Sequence, residues 1–234
     1  PDYDRQVGSR RVLHMSEQLR ELGWDVAFLG DEARSERYDR RLTDLGIATG
    51  RPGGPALEPA DAGEADARHP FDLVLLHFWY VAERYASMAR SLYPGAPVLV
   101  DSVDLHFLRQ ARTMMARGTA ATEPAFGERM CRELAAYASA DAVLTVSDKE
   151  ARVVGDMLTP PPPTHCIPDA ESLPRSQRSF EERHGIVFVG NFQHPPNVDG
   201  VHWFLDEVLP HLPPGFIELH PVRIVGNRPP ASLL

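Results

Sequence analysis

Short apolar runs alternate along this chain with longer stretches of helical period. Residues 26–29, 73–76, 97–100, 142–146 and 164–167 are brief hydrophobic runs that predict strands. Between them apolar side chains recur at three- and four-residue spacing: Val12, Met15, Leu19 and Leu22, then Tyr38, Leu42 and Leu45, then Val81, Tyr85, Met88 and Leu92. Leu105, Leu108, Arg112 and Met115 mark a further helix at the same spacing, as do Phe126, Met130, Leu134 and Tyr137. Each set predicts a helix with one buried face. Ser9 reads as the N-cap of the first helix, and Gly23 and Gly46 as stops. Ser147 followed three residues on by Glu150 has the spacing of a capping box. Residues 50–69, rich in Gly, Pro, Ala and Asp, predict a long loop. Strands alternating with helices of ten or more residues imply an α/β fold on a parallel sheet.

The stretch 185–204, GIVFVGNFQHPPNVDGVHWF, repeats this unit once more. Its apolar run 186–189 has the pattern of a strand buried on both faces. Gly190 and Asn191 end the run, and the prolines 195 and 196 argue against regular structure. Asn197 reads as the N-cap of a helix carrying Val198, Val201, Phe204, Leu205 and Val208. A strand, a Gly-containing loop and a helix N-terminus make either a backbone-lined anion site or an ordinary βα turn. The polar segment DAESLPRSQRSFEERH, residues 169–184, reads as a linker. This organises the chain as a Rossmann-like domain over 1–168, a linker over 169–184 and the start of a second Rossmann-like domain over 185–234. Both ends look cut: no strand precedes the opening loop, and the second domain stops two strands in, which makes it incomplete.

Composition narrows the classes. With 234 residues and 43% hydrophobic content the chain can bury a substantial core. No apolar run approaches the length of a transmembrane segment, although peripheral contact with a membrane stays open. The formal net charge of -9, with no basic stripe to offset it, argues against nucleic acid as a partner. Cys131 and Cys166 make neither a disulfide framework nor a metal motif, which predicts a reducing, cytoplasmic setting.

Ligands of open parallel sheets bind beyond the carboxyl ends of the strands. The residues placed there are His77, then Asp101, Asp104 and His106, then Ser147, and then Gly190, Asn191 and His194. The opening loop adds Asp4, Arg5, Gly8 and Arg10. His77 and His106 are either catalytic or hydrogen-bonded structural histidines. Asp101 and Asp104 are either a metal pair or caps of the helix that follows. There is no G-x-S-x-G, Walker loop or H-E-x-x-H sequence, so those hydrolase, nucleotidase and zinc classes lose support.

As an ordered set, several segments resemble the glycosyltransferase group 1 family. They are PDYDRQVGSRR with ELGWDVAFL, FDLVLLHFW, PVLVDSVDLHFLRQAR, ADAVLTVSDKEA, HCIPDA, and IVFVGNFQHPPNVDGVHWFLDEVLP with VRIVGN. The resemblance implies the GT-B fold of two Rossmann-like domains. It also implies transfer of a sugar from a nucleotide-diphospho-sugar to an acceptor in the interdomain cleft, with retention, no metal and no cofactor. It makes His106 and Asp104 the catalytic candidates, facing the sugar. Gly8, Gly190, Asn191, His194 and Asn197 would bind the donor, and Arg5, Arg10, His77 and Asp101 would lie on the acceptor side. Three departures stand out. The loop 191–197 lacks the Arg and Lys of many relatives, Asp169 replaces a usual asparagine, and the later donor-binding segment is absent after Leu234. Residues 1–234 alone are therefore expected to be inactive. The missing cations keep open a non-catalytic module that binds a sugar nucleotide or a partner, and the shared fold keeps open a nucleotide-sugar epimerase.

Overall fold

In the computed structural model, residues 3, 7–30, 35–51, 71–116, 118, 124–171 and 177–233 are described. The chain divides into two compact units, Pro1–Glu171 and Ser172–Leu234. The loop predicted over 50–69 and the residues Asp4 and Arg5 lie outside the described residues, apart from Gly50 and Arg51.

The first unit alternates helix and strand as its hydrophobic pattern requires. Helix α1 (Val7–Glu21), strand β1 (Ala27–Leu29), helix α2 (Glu36–Asp44) and strand β2 (Ala48–Gly50) come first. Then follow β3 (Val74–His77), α3 (Trp79–Leu92), β4 (Val98–Asp101), α4 (His106–Ala116), α5 (Pro124–Ala138), β5 (Ala142–Thr145), α6 (Asp148–Met157) and β6 (Thr164–Cys166). Strands β3, β4, β5 and β6 form one parallel sheet in that order, while β1 and β2 pair in parallel as a separate ladder. This is a Rossmann-like α/β architecture. The apolar core sits where β4 and β5 meet their helices: Val98, Val100 and Val143 are fully buried against Leu105, Phe107, Tyr137 and Val154. A smaller cluster of Leu13, Leu42 and Ile47 joins α1 and α2 to the β1–β2 ladder.

Two local expectations for this unit are corrected. Ser9 lies inside α1 rather than capping it, and Leu22 is exposed beyond the helix end. The buried face of α1 consists of Arg11, Val12, Leu13 and Ser16, so a cationic residue occupies a position that periodicity alone assigns to the core. Ser147 does cap α6, its hydroxyl accepting from the Glu150 N–H at 3.3 Å.

The second unit holds β7 (Ile186–Asn191) and β8 (Val222–Asn227) paired in parallel, with α7 (Pro195–Trp203) and the short α8 (Phe216–Leu219) between them. Helix α7 begins at Pro195, two residues before the expected Asn197 cap, and His194 is its N-cap. Proline is tolerated in a first helical turn because the N–H it lacks has no intrahelical partner there. After Trp203 the chain passes through a π-helical turn, Phe204–Val208, instead of continuing one long helix. Strand β7 is not buried on both faces either. Val187 and Val189 are exposed, because among the described residues of this unit no element covers that face of the two-stranded ladder.

Candidate functional site

Parallel register brings the ends of β3 and β4 side by side. His77 is the register partner of Asp101, and the Phe78 N–H continues the ladder onto the Asp101 carbonyl at 2.9 Å. Asp101 is fully buried, and its carboxylate is committed. It accepts from Arg11 Nε and Nη2 at 2.9 and 3.0 Å, a two-pronged guanidinium contact from α1. His77 Nδ1 stands 2.9 Å from Asp101 Oδ2, as a donor to it. Burial pushes the Asp101 carboxyl up, but the hydrogen bonds and charge of His77 and Arg11 outweigh it and hold the group below its ordinary value. Arg11 reaches on through Nη1 to Asp169 at 3.0 Å. Asp169, unexplained as a departure from the usual asparagine, is thus a second counter-charge for a buried guanidinium.

The turn between β4 and α4 is built differently. Val103 has φ of 60°, and the Asp104 N–H folds back onto the Ser102 carbonyl at 2.7 Å. The first amides of α4 are not capped by Asp101 or Asp104. The His106 and Phe107 N–H groups donate to Glu133 of α5 at 2.8 and 2.9 Å, and Leu105 N–H approaches Glu150 of α6 at 3.5 Å. The Tyr137 hydroxyl gives Glu133 a third donor at 2.9 Å. Burial pushes the Glu133 carboxyl up, and the bonds from Tyr137, Phe107 and His106 recover only part of that shift. Both carboxylates thus sit where the positive end of α4 and its unpaired N–H groups favour them.

This scaffold presents Asp104 and His106 together. His106 Nε2 lies 3.1 Å from Asp104 Oδ1, and Arg109 Nη1 holds the other Asp104 oxygen at 2.7 Å. His106 Nδ1 accepts from the Trp79 indole at 3.1 Å. Phe78 and Tyr80 stack at 5.2 Å between ring centroids, and both stand within 6.3 Å of the imidazole. Phe78, at φ of 74°, also explains Gly8: a Cβ there would lie 2.6 Å from the Phe78 ring and 3.2 Å from Val103. The first turn of α1 can approach these two turns only without a side chain.

The remaining predicted residues fall elsewhere. Arg10 is exposed and pairs with Glu171, one contact being 2.8 Å. In the second unit the Asn191 side chain accepts from the Gln193 N–H, and the Asn191 carbonyl accepts from Asn197 Nδ2, each at 3.0 Å. Gly190 is tight, since a Cβ would meet Phe188 at 2.7 Å. The start of α7 is poor in donors: Pro195 and Pro196 have no N–H, and the Asn197 N–H is spent on the His194 carbonyl at 3.0 Å. The donor-side roles of Gly190, Asn191, His194 and Asn197 therefore rest on the family resemblance. No group of three His, Cys, Asp or Glu side chains among the described residues could hold a metal ion.

Sequence reasoning missed Arg11, Trp79, Glu133 and the aromatic pair. A signal existed for two of them. Arg11 stands on the apolar stripe of α1, and Glu133 falls between Met130 and Tyr137 on that of α5. A charge on a core-facing stripe implies a buried partner.

Comparison with known families supplies the remaining finding. The model of the glycosyl transferase 4-like domain matches residues 8–170, from Gly8 through β6 to the Asp169 segment. Neither a search of curated proteins nor one of solved structures finds a match. The matched span includes His77, Asp101, Asp104 and His106, and its Rossmann-like sheet suits such a domain. The chain belongs to the glycosyl transferase 4-like domain family.

Proposed function

We propose that this protein is a retaining glycosyltransferase of the group 1 type, moving a sugar from a nucleotide-diphospho-sugar to an acceptor without a metal or cofactor. The observation that carries the reading is the family match over residues 8–170, which contains the Asp104–His106 pair at the carboxyl edge of the sheet. In this reading 1–168 is the acceptor-side domain, 169–184 a linker and 185–234 the start of the donor-side domain, with transfer in the cleft between domains. His106 and Asp104 face the sugar, while Arg11 and Asp101 hold His77 in place without touching substrate. Gly8 lets the α1 backbone come close to the sugar or its phosphates. The remaining site assignments also follow the resemblance. Arg5, Arg10, His77 and Asp101 lie on the acceptor side, and Gly190, Asn191, His194 and Asn197 bind the donor.

The chemistry asks little of the protein beyond placement. The bond between the anomeric carbon and the diphosphate oxygen breaks while the acceptor oxygen bonds to that carbon from the same face, and negative charge gathers on the leaving group. Fixed dipoles and donors aimed at that charge lower the barrier. The departing phosphate oxygen takes the acceptor hydroxyl's proton, so the protein need not supply a strong base.

The test uses the intact protein with a panel of nucleotide sugars and acceptors, reading release of nucleoside diphosphate. Release that depends on acceptor, slowed at least about tenfold by both His106→Ala and Asp104→Ala in folded protein, is the expected result, in line with losses on removing one polar transition-state contact. Wild-type rates in both variants refute the site. Donor conversion without acceptor, or no binding of any donor, refutes the reaction.

A further inference from the structure

The indole nitrogen of Trp79 carries one proton and has no lone pair to offer, so it can only donate. Trp79 is the first residue of α3, buried in the main core, and its donor meets His106 Nδ1 at 3.1 Å. Nδ1 must then present its lone pair. The proton of the neutral imidazole is left on Nε2, the nitrogen 3.1 Å from Asp104 Oδ1. Asp104 is fixed in turn by Arg109 at 2.7 Å and so is an acceptor already charged and oriented. Each link in the line Trp79, His106, Asp104, Arg109 therefore has one direction of donation.

We infer that Trp79 is a positioning residue that locks His106 in the Nε2–H tautomer, so that the ring's one proton is donated to Asp104 and neither ring nitrogen offers a free lone pair to act as a base. A base acting through Nε2 would need its proton on Nδ1, and that would set two N–H groups against each other at 3.1 Å. The backbone supports the same orientation. Glu133 fixes the His106 amide at 2.8 Å, and the rings of Phe78 and Tyr80 flank the imidazole at centroid distances of 6.3 and 6.1 Å. That the His106–Asp104 pair faces a sugar rests on the transferase reading above. The tautomer does not.

The experiment is long-range proton–nitrogen correlation spectroscopy on the protein with 15N-labelled histidine, at neutral pH and with no sugar nucleotide. The His106 pattern is assigned by its loss in His106→Ala. A bare Nδ1 with a protonated Nε2 is expected in the wild type, with loss of that single pattern to a mixture or to the Nδ1–H form in Trp79→Phe. An Nδ1–H or imidazolium pattern in the wild type overturns the inference, as does an unchanged Nε2–H pattern in folded Trp79→Phe. If Trp79→Phe does not fold, Asp104→Asn decides. Retention of Nε2–H supports Trp79 as the determinant, whereas a switch to Nδ1–H assigns that role to Asp104 and overturns it. The readout involves no transfer, so failure here leaves the transferase reading intact, and failure of the transfer assay leaves the tautomer intact.

Discussion

Asp101 and Glu133 are both buried carboxylates, and their surroundings answer that burial in opposite ways. Asp101 has a guanidinium and an imidazole, and its pKa falls; Glu133 has two amides and a phenol, and its pKa rises. The sign of their pH dependence differs accordingly. Asp101 contributes stability that is present above its unfolded value near 3.8 and is lost as pH falls through the lower folded value. Glu133 contributes stability that is present below its unfolded value near 4.5 and is lost as pH rises through the higher folded value. For Asp101 the consequence can be measured. Asp101→Asn leaves Arg11 buried without its main counter-charge, and breaking such a pair costs about 3–5 kcal/mol. Urea unfolding at pH 7 should show a loss of that order, and the gap between variant and wild type should narrow as pH falls below about 3.8. A gap that does not change with pH would mean Asp101 is not the ionised partner of Arg11. Arg11 was legible only as a charge on the core-facing stripe of α1, which implies a buried partner; that this partner is Asp101, 90 residues along the chain, was not legible.

At the scale of elements, the regular pieces were legible and the joins between them were not. Strand–helix alternation was visible because each apolar run is short and each amphipathic stretch is long, and the Ser147 cap was visible because it is local. Strand β2 was missed, as Ala-Thr-Gly has no apolar run to announce it. The cap of α4 was missed for a deeper reason. Its acceptors, Glu133 and Glu150, come from two other helices and lie 27 and 45 residues along the chain from the amides they meet. No spacing rule reaches so far. The arrangement makes the catalytic candidates depend on α5, and it predicts a local effect. In Glu133→Gln one of the two backbone donors faces an amide instead of a carboxylate oxygen. An unsatisfied buried donor costs about 1–3 kcal/mol. Hydrogen exchange at the His106 and Phe107 amides should quicken well ahead of exchange in β4. Equal protection in variant and wild type would show that α4 needs no such cap.

At the scale of the whole molecule, the two units differ in how much apolar surface they bury. The first encloses Val98, Val100, Val143, Tyr137 and Val154 almost completely between sheet and helices. In the second, Phe192 and Val201 are the buried apolar side chains among the described residues, while Val187, Val189, Trp203, Leu219 and Val225 stay exposed. Burial stabilises by about 25 cal/mol per Å² of apolar surface, and ordering a residue costs on the order of 1.5 kcal/mol. A two-stranded ladder with two short helices falls on the wrong side of that balance. Residues 172–234 expressed alone should therefore show no cooperative thermal transition and little amide protection, whereas residues 1–171 should unfold in one sharp step. A sharp transition in the isolated 172–234 segment would overturn this argument. It would also mean that the exposed faces of β7 and β8 need no cover, and that the stability of this unit comes from the close backbone packing at Gly226, where an added Cβ would collide with the Gly190 carbonyl oxygen.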